Sequence, residues 1–271
     1  MKDQINSGSA SSNPMVFAAK EAYRTIRTNL MFSLAKKGCR TILFTSSVQG
    51  EGKTTTAANV AFSLARSNKR VLLVDLDLRR PRVHRLVKKP NSPGLTNILS
   101  GFSTVEEACH KKVFPNLDVI CAGTLSPNPS ELVASEGMAE LLKKMQPDYD
   151  FIILDTPPVN VVSDALTLVE HIDGIILIVR PNFTARKEVQ KAIEQSRFVG
   201  GKILGVVANA VTAEKKRAYG RYGGYGGYGG YGGYGHYGTY ATAPNNVESF
   251  NASDSAAPSA SSEEASSNST K

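Results

Sequence analysis

Two hydrophobic rhythms alternate along the chain. One is short and unbroken: Thr41-Ile42-Leu43-Phe44-Thr45, Val71-Leu72-Leu73-Val74, and further apolar runs at 117–121, 151–154, 174–179 and 203–208. The other is longer, with apolar positions recurring every three or four residues. Residues 18–36 carry it, with Ile26, Leu30, Met31 and Leu34 set among Arg24, Arg27 and Lys36. Helical stretches are likewise read at 53–66, 130–145, 164–170 and 185–198. Short unbroken runs suit strands buried on both faces, and the longer period predicts amphipathic helices. Their alternation predicts an α/β fold, a mostly parallel sheet with helices on both faces. In such sheets ligands sit beyond the carboxyl ends of the strands.

Both rhythms stop near residue 212. Residues 15–212 hold nearly all the Leu, Ile and Val, and 213–271 hold too little apolar surface to offset the entropy of ordering. The expected organisation is a flexible lead over 1–14, one domain over 15–212 and a disordered tail over 213–271. A domain of about 200 residues sustains a single core. The tail carries the internal repeat: Tyr219, Tyr222, Tyr225, Tyr228, Tyr231, Tyr234, Tyr237 and Tyr240 recur every three residues, mostly as Tyr-Gly-Gly, before a Ser/Ala/Asn-rich end. That period is too short for a solenoid, and the glycines favour a flexible chain.

Charge and cysteines narrow the classes. The net charge of +8 suits phosphate-bearing ligands and does not by itself point to nucleic acid. Cys39, Cys109 and Cys121 form no C-x-x-C pair, so neither a zinc nor a redox motif is indicated. Reduced thiols in a cytosolic setting are expected. Residues 1–13 lack the apolar stretch of a signal peptide. The longest aliphatic run, at 175–179, is far shorter than the roughly 20 residues that span a bilayer.

The chemistry concentrates at three strand ends. Ser47-Val48-Gln49-Gly50-Glu51-Gly52-Lys53-Thr54 follows a predicted strand and opens a predicted helix, as a Walker A loop does, with Ser47 where the first glycine usually stands. Gly50 and Gly52 let backbone N–H groups approach phosphate oxygens, and the helix N-terminus adds partial positive charge. Lys53 is expected on the β- and γ-phosphates and the Thr54 hydroxyl on Mg²⁺. Asp75 and Asp77 leave the second strand two residues apart, and strand alternation predicts that both face the phosphates. Asp155 closes the apolar run 151–154 in the Walker B manner, a carboxylate for the metal. ATP with Mg²⁺ on a P-loop NTPase fold is the resulting expectation.

Together these elements resemble the bacterial tyrosine kinases (BY-kinases) of capsular and exopolysaccharide synthesis. Residues 46–55 resemble their Walker A loop, 71–79 their second acidic motif and 151–158 their Walker B. Glu21-Ala22-Tyr23-Arg24-Thr25-Ile26-Arg27 is similar to the family's oligomerisation motif, and the tyrosine-rich C-terminus matches as well. The resemblance implies a stand-alone cytoplasmic kinase that autophosphorylates its tyrosine cluster between subunits of a ring. It also implies recruitment to the inner face of the cell membrane by a membrane-integral activator of the polysaccharide chain-length type. A cognate phosphotyrosine phosphatase would oppose it, and no nucleic acid is expected. It puts Gly50, Glu51, Gly52, Lys53, Thr54, Thr55 and Asn209 on ATP, Thr54, Asp77 and Asp155 on the metal, and Glu21, Arg24 and Arg27 at a subunit contact. Catalysis falls to Lys53, Asp75 and Asp77, with Asp75 favoured as base by resemblance, although sequence alone could exchange it with Asp77. Arg79 and Arg80 could pair with phosphate or with the acids.

Other readings use fewer of these features. A Tyr/Gly tail next to Arg217 and Arg221 suits a weakly self-associating linker or a stacking platform for single strands. A partition or septum-type switch ATPase binding DNA or membrane shares the Walker elements. Such proteins carry a second lysine five positions before the catalytic one, where this chain has Val48.

Overall fold

The structure is a computed structural model that describes residues 14–34 and 37–211. Residues 1–13 of the expected flexible lead, the tail and all eight repeat tyrosines lie outside those residues, and Pro14, the last of the expected lead, is in α1. Helix α1 (Pro14–Ser33) leads to β1 (Arg40–Ser46), α2 (Lys53–Ala65) and β2 (Val71–Asp75). Three short helices follow, α3 (Val83–Val87), α4 (Leu95–Leu99) and α5 (Val105–Ala108), then strands β3 (Cys109–Phe114) and β4 (Leu117–Ile120). Helices α6 (Pro129–Val133) and α7 (Glu136–Met145) precede β5 (Phe151–Asp155). A 3₁₀ segment (Asp164–His171), β6 (Gly174–Val179), α8 (Arg186–Phe198) and β7 (Ile203–Ala208) come last among the described elements.

One seven-stranded sheet runs in the order β3-β4-β2-β5-β1-β6-β7. Every pairing is parallel except that of β3 with β4. Alternate residues of the central strands feed opposite faces. Val71, Leu73, Phe151 and Ile153 pack with α1, α2 and α3 through Leu30, Leu34, Leu64, Val83 and Val87. Leu72, Val74, Ile152 and Leu154 pack with α4 and α7 through Leu95, Met138, Leu142 and Met145. The small side chains of Ala57, Ala58, Ala61 and Ala65 are fully buried, so α2 lies close on the sheet.

Local deviations from the sequence pattern have local causes. Helix α1 already includes Pro14, ahead of the expected 18. The stretch 130–145 is two helices, because the Ser135 hydroxyl accepts the Met138 N–H and caps a fresh start. The helix expected at 164–170 is a 3₁₀ segment. Strand β3 was not anticipated, since His110, Lys111 and Lys112 give an edge strand no apolar signature.

That edge is fastened by a polar cluster. The buried Tyr149 donates its hydroxyl to Asp118 Oδ2 at 2.6 Å and accepts from Lys111 Nζ at 2.9 Å, and the Lys112 amide donates to Asp118 Oδ1 at 2.7 Å. Burial opposes ionisation of Asp118, but bonds from Tyr149, the Lys112 amide and Lys111 outweigh it and hold the carboxyl below its usual range. A carboxyl depressed in the folded state stabilises above its unfolded pKa, and that contribution is lost as pH falls through the folded value. Tyr149→Phe is therefore expected to cost about 1–2 kcal/mol at neutral pH. The deficit should shrink in acid, a trend that denaturant titrations at neutral and acidic pH will reveal.

Candidate active site

The order β2-β5-β1 puts the carboxyl ends of three adjacent strands side by side. Phe44 of β1 and Asp75 of β2 both stand in register with Asp155 of β5, so the loops after them converge on one spot. The segment from Ser47 to Gly52 joins β1 to α2. Gly50 and Gly52 both have φ of +87°, a left-handed conformation open mainly to glycine. A Cβ on Gly52 would also overlap the Asn209 carboxamide.

Glu51 is the strut of this loop. Its carboxylate is buried and accepts from the Val48 N–H at 2.7 Å, the Arg180 N–H at 3.2 Å and the Thr184 hydroxyl. Asn209 Nδ2 donates to the Glu51 carbonyl at 2.8 Å. The Asn209 side chain, expected on ATP, is bound here to the loop backbone beside Gly52. Glu51→Ala would strand two amides and a hydroxyl, at about 3 kcal/mol. A lowered melting temperature and weaker nucleotide binding in a fluorescence titration are expected, with Glu51→Gln falling between.

Lys53, the first residue of α2, lies between two carboxylates. Its Nζ is 2.9 Å from Asp77 Oδ2 and 3.9 Å from Asp155 Oδ1. Burial alone would lower the Lys53 pKa, but Asp155 and Asp77 outweigh it and raise it. Thr54 is buried beside it, its hydroxyl 3.4 Å from Lys53 Nζ. Asp155 is wholly buried, and neither of its carboxylate oxygens has a hydrogen-bond partner. Burial pushes its pKa up against the pull of Lys53. A buried carboxylate with free oxygen lone pairs, next to a threonine hydroxyl and a second carboxylate, fits a hard divalent cation. Mg²⁺ in particular binds through one or two carboxylates plus phosphate oxygens. No compact cluster of three or more His, Cys, Asp or Glu suited to holding a metal alone occurs among the described residues.

The two aspartates of the second motif part company. Strand β2 ends at Asp75, so strand alternation does not extend to Asp77, and the two carboxylates have different partners. Asp75 is fully buried. Its Oδ1 accepts from the Asp77 N–H, and its Oδ2 accepts from the Arg82 and Val83 N–H groups at the start of α3. Burial and the neighbouring Asp155 push its pKa up to about 8 against those amides. Asp77 instead faces Lys53 through Oδ2 and accepts the Arg80 N–H through Oδ1.

Further contacts were not visible in the sequence. Arg79 reaches the Ser130 hydroxyl at 2.8 Å and Asp164 at 3.3 Å, and Ser130 donates to Asp164 at 2.7 Å. Arg80 donates to the Gln49 side-chain oxygen Oε1 at 3.0 Å, bridging the two loops. These partners lie far apart in the chain, and no local pattern announces them. On α1, Glu21 and Arg24 form an exposed pair at 2.8 Å, while Arg27 turns to the Ser63 carbonyl of α2. The three expected contact residues are therefore not equivalent.

Comparison with known proteins matches residues 39–201 to a family model described as an AAA domain. The tyrosine-protein kinase YwqD of Bacillus subtilis (strain 168) is 40% identical over 200 residues, covering 74% of this chain and 84% of that one. The solved kinase domain of the Escherichia coli tyrosine kinase ETK superposes with a TM-score of 0.70 at 30% identity, covering 83% of this chain and 89% of the other. The septum site-determining protein MinD of Pyrococcus horikoshii OT3, solved with Mg-ADP, shares the fold with a TM-score of 0.55 at 24% identity, covering 64% and 70%.

Proposed function

The chain belongs to the bacterial tyrosine-protein kinase family, and on that premise we propose that it autophosphorylates the tyrosine cluster at 219–240 in the service of capsular or extracellular polysaccharide synthesis. It is an ATP-dependent protein-tyrosine kinase. The observation that carries the assignment of its machinery is Lys53 Nζ held between Asp77 and the orphaned Asp155 at three adjacent strand ends.

In this mechanism the amides of Gly50 to Thr55 and the Lys53 ammonium receive the ATP phosphates. Thr54 and Asp155 would hold Mg²⁺, which supplies charge neutralisation on the phosphates when bound, and Asp77 stays off the metal. Asp77 takes the acceptor proton. It sits at Lys53, whereas the Asp75 carboxylate is committed to three backbone amides and acts by holding α3 in place. The tyrosine oxygen attacks the γ-phosphorus, the bond to the β,γ-bridging oxygen breaks, and ADP leaves. A tyrosine hydroxyl has a pKa of about 10, so a carboxylate that orients it and accepts its proton lowers the barrier. Asn209 serves as a brace for the loop.

The setting follows the same premise. Among the described residues no helix is long and apolar enough to cross a membrane. The family premise, and not that absence, is what supports a cytoplasmic kinase recruited to the membrane by an integral activator of the chain-length type. Exposed Glu21 and Arg24 supply contacts between ring subunits, with Arg27 bracing α1 on α2. A phosphotyrosine phosphatase resets the tail. The switch-ATPase alternative has less support: its second lysine is replaced by Val48, and its structural likeness extends to the fold alone.

Incubation of the full chain with ATP and Mg²⁺, with an activator fragment added, followed by mass spectrometry of the tail, tests the assignment. Phosphate on Tyr219 to Tyr240 is expected. ATP turnover with an unmodified tail would transfer the assignment to the switch ATPase.

A further inference from the structure

Between Asp77 and Glu106 the chain contains no acidic residue but holds Arg79, Arg80, Arg82, Arg85, Lys88 and Lys89. Helix α3 turns Val83 and Val87 into the core and leaves Arg82, Arg85, Lys88 and Lys89 exposed. Arg82 precedes the helix, Arg85 lies within it, and Lys88 and Lys89 follow its end, so four like charges crowd residues 82–89 and repel. Among the described residues none of these four side chains has an ion pair to offset that repulsion. The first amides of this helix also hold Asp75, so the basic face begins directly beside the catalytic pocket.

We propose that the exposed face of α3 is a phosphotyrosine-binding site for the repeat at 219–240, which captures a tyrosine already phosphorylated and presents the next one to Asp77. The inference rests on the tail being the kinase's acceptor. Charge complementarity supplies the first argument. The repeat has no acidic residue from Tyr219 to Tyr240, so it meets this face weakly until it is phosphorylated. Each phosphate adds about −1.5 to −2 charge and acceptor oxygens suited to arginine. Position supplies the second. The segment opens at Arg82 and Val83, whose amides hold Asp75, so a phosphate bound on this face brings the next tyrosine, about 10 Å along an extended chain, toward the site. The first phosphate makes the following ones faster, and modification proceeds in bursts along one tail.

The test uses the full-length kinase, whose tail tyrosines are changed to phenylalanine, and synthetic peptides of three Tyr-Gly-Gly units. One peptide is unmodified; two others carry phosphate on the first or on the last tyrosine. One phosphopeptide is expected to have a KM lower by about tenfold, the worth of one charge-assisted contact. The combined Arg85→Gln, Lys88→Gln and Lys89→Gln variant should bring that ratio to about one, and Arg85→Lys should retain most of it. These positions are exposed, and a melting curve checks that the variant folds. Equal KM values in the unaltered kinase, or a preference that survives the triple substitution, would overturn the proposal while leaving tail phosphorylation intact. Loss of binding to phosphatidylserine vesicles in the triple variant, with no phosphopeptide preference at the outset, would reassign the face to a lipid surface. Failure to phosphorylate any peptide, together with an unmodified tail in the native chain, would remove the acceptor assignment and this site with it.

Discussion

Lys53→Met will reduce tail phosphorylation by about three orders of magnitude, with the protein still folded. Methionine keeps an apolar stem of similar reach and removes the ammonium. Preorganised charge aimed at the transferring group is a large term in phosphoryl transfer, and removal of one such donor commonly costs about 10²–10³ in rate. Here the ammonium also separates Asp77 from Asp155, so its loss leaves two carboxylates facing each other. Breaking a buried ion pair costs about 3–5 kcal/mol when the remaining charge stays ionised. Asp155 escapes part of that cost by taking up a proton, as burial already inclines it to do. A carboxyl with a raised folded-state pKa contributes less stability as pH rises. The variant's deficit should therefore widen with rising pH, which denaturant titrations on both sides of neutrality will measure. Phosphotyrosine quantified by mass spectrometry gives the activity arm. A variant that modifies its tail at an undiminished rate would remove Lys53 from the mechanism.

The second large effect separates two acids that sequence makes look alike. Asp77→Asn should lower tyrosine transfer by about 10²–10⁴, the range for losing a positioned base, with a lowered melting temperature as well, because the buried pair with Lys53 is lost. Its Oδ1 position can still accept the Arg80 N–H. Asp75→Asn should mainly destabilise. An amide replaces one of two oxygens that together accept three backbone N–H groups, leaving at least one donor unpaired at about 1–3 kcal/mol. Initial rates of phosphotyrosine formation beside melting curves distinguish the pair. Undiminished transfer in Asp77→Asn, with transfer lost from a stable Asp75→Asn, would restore Asp75 as the base.

What the sequence discloses and what it conceals follow from the same physics. Strands β1, β2, β5 and β6 announce themselves because a parallel strand buried on both faces must be apolar throughout, while β4 and the partly exposed edge strand β7 are read from shorter or mostly aliphatic runs. The loop at 47–54 and Asp155 are legible because each directly follows such a strand. Strand β3 is hidden because an edge strand tolerates His110, Lys111 and Lys112. Helices α3, α4 and α5 are too short to display a period. Asp75 and Asp77 were placed together by an alternation rule that ends where β2 ends. Glu51 reads as a loop residue, yet its carboxylate ties in Arg180 and Thr184, about 130 positions away. Long-range hydrogen bonds of this kind leave no trace in local patterning.

The placement of β5 has a temporal consequence. Strands β1 and β2 never touch; each pairs with β5, which occupies the slot between them. During synthesis from the N-terminus the phosphate loop and both acids of the second motif emerge first. The strand that brings them together ends 80 positions after Asp75, a delay of about 4–16 s at ordinary elongation rates. Until then the nascent chain leaves both edges of β1 and one edge of β2 unpaired and has no assembled centre, a vulnerable interval in which chaperones would find their target. The repeat at 219–240 emerges later still, so no acceptor tyrosine is made before the strand that completes the catalyst.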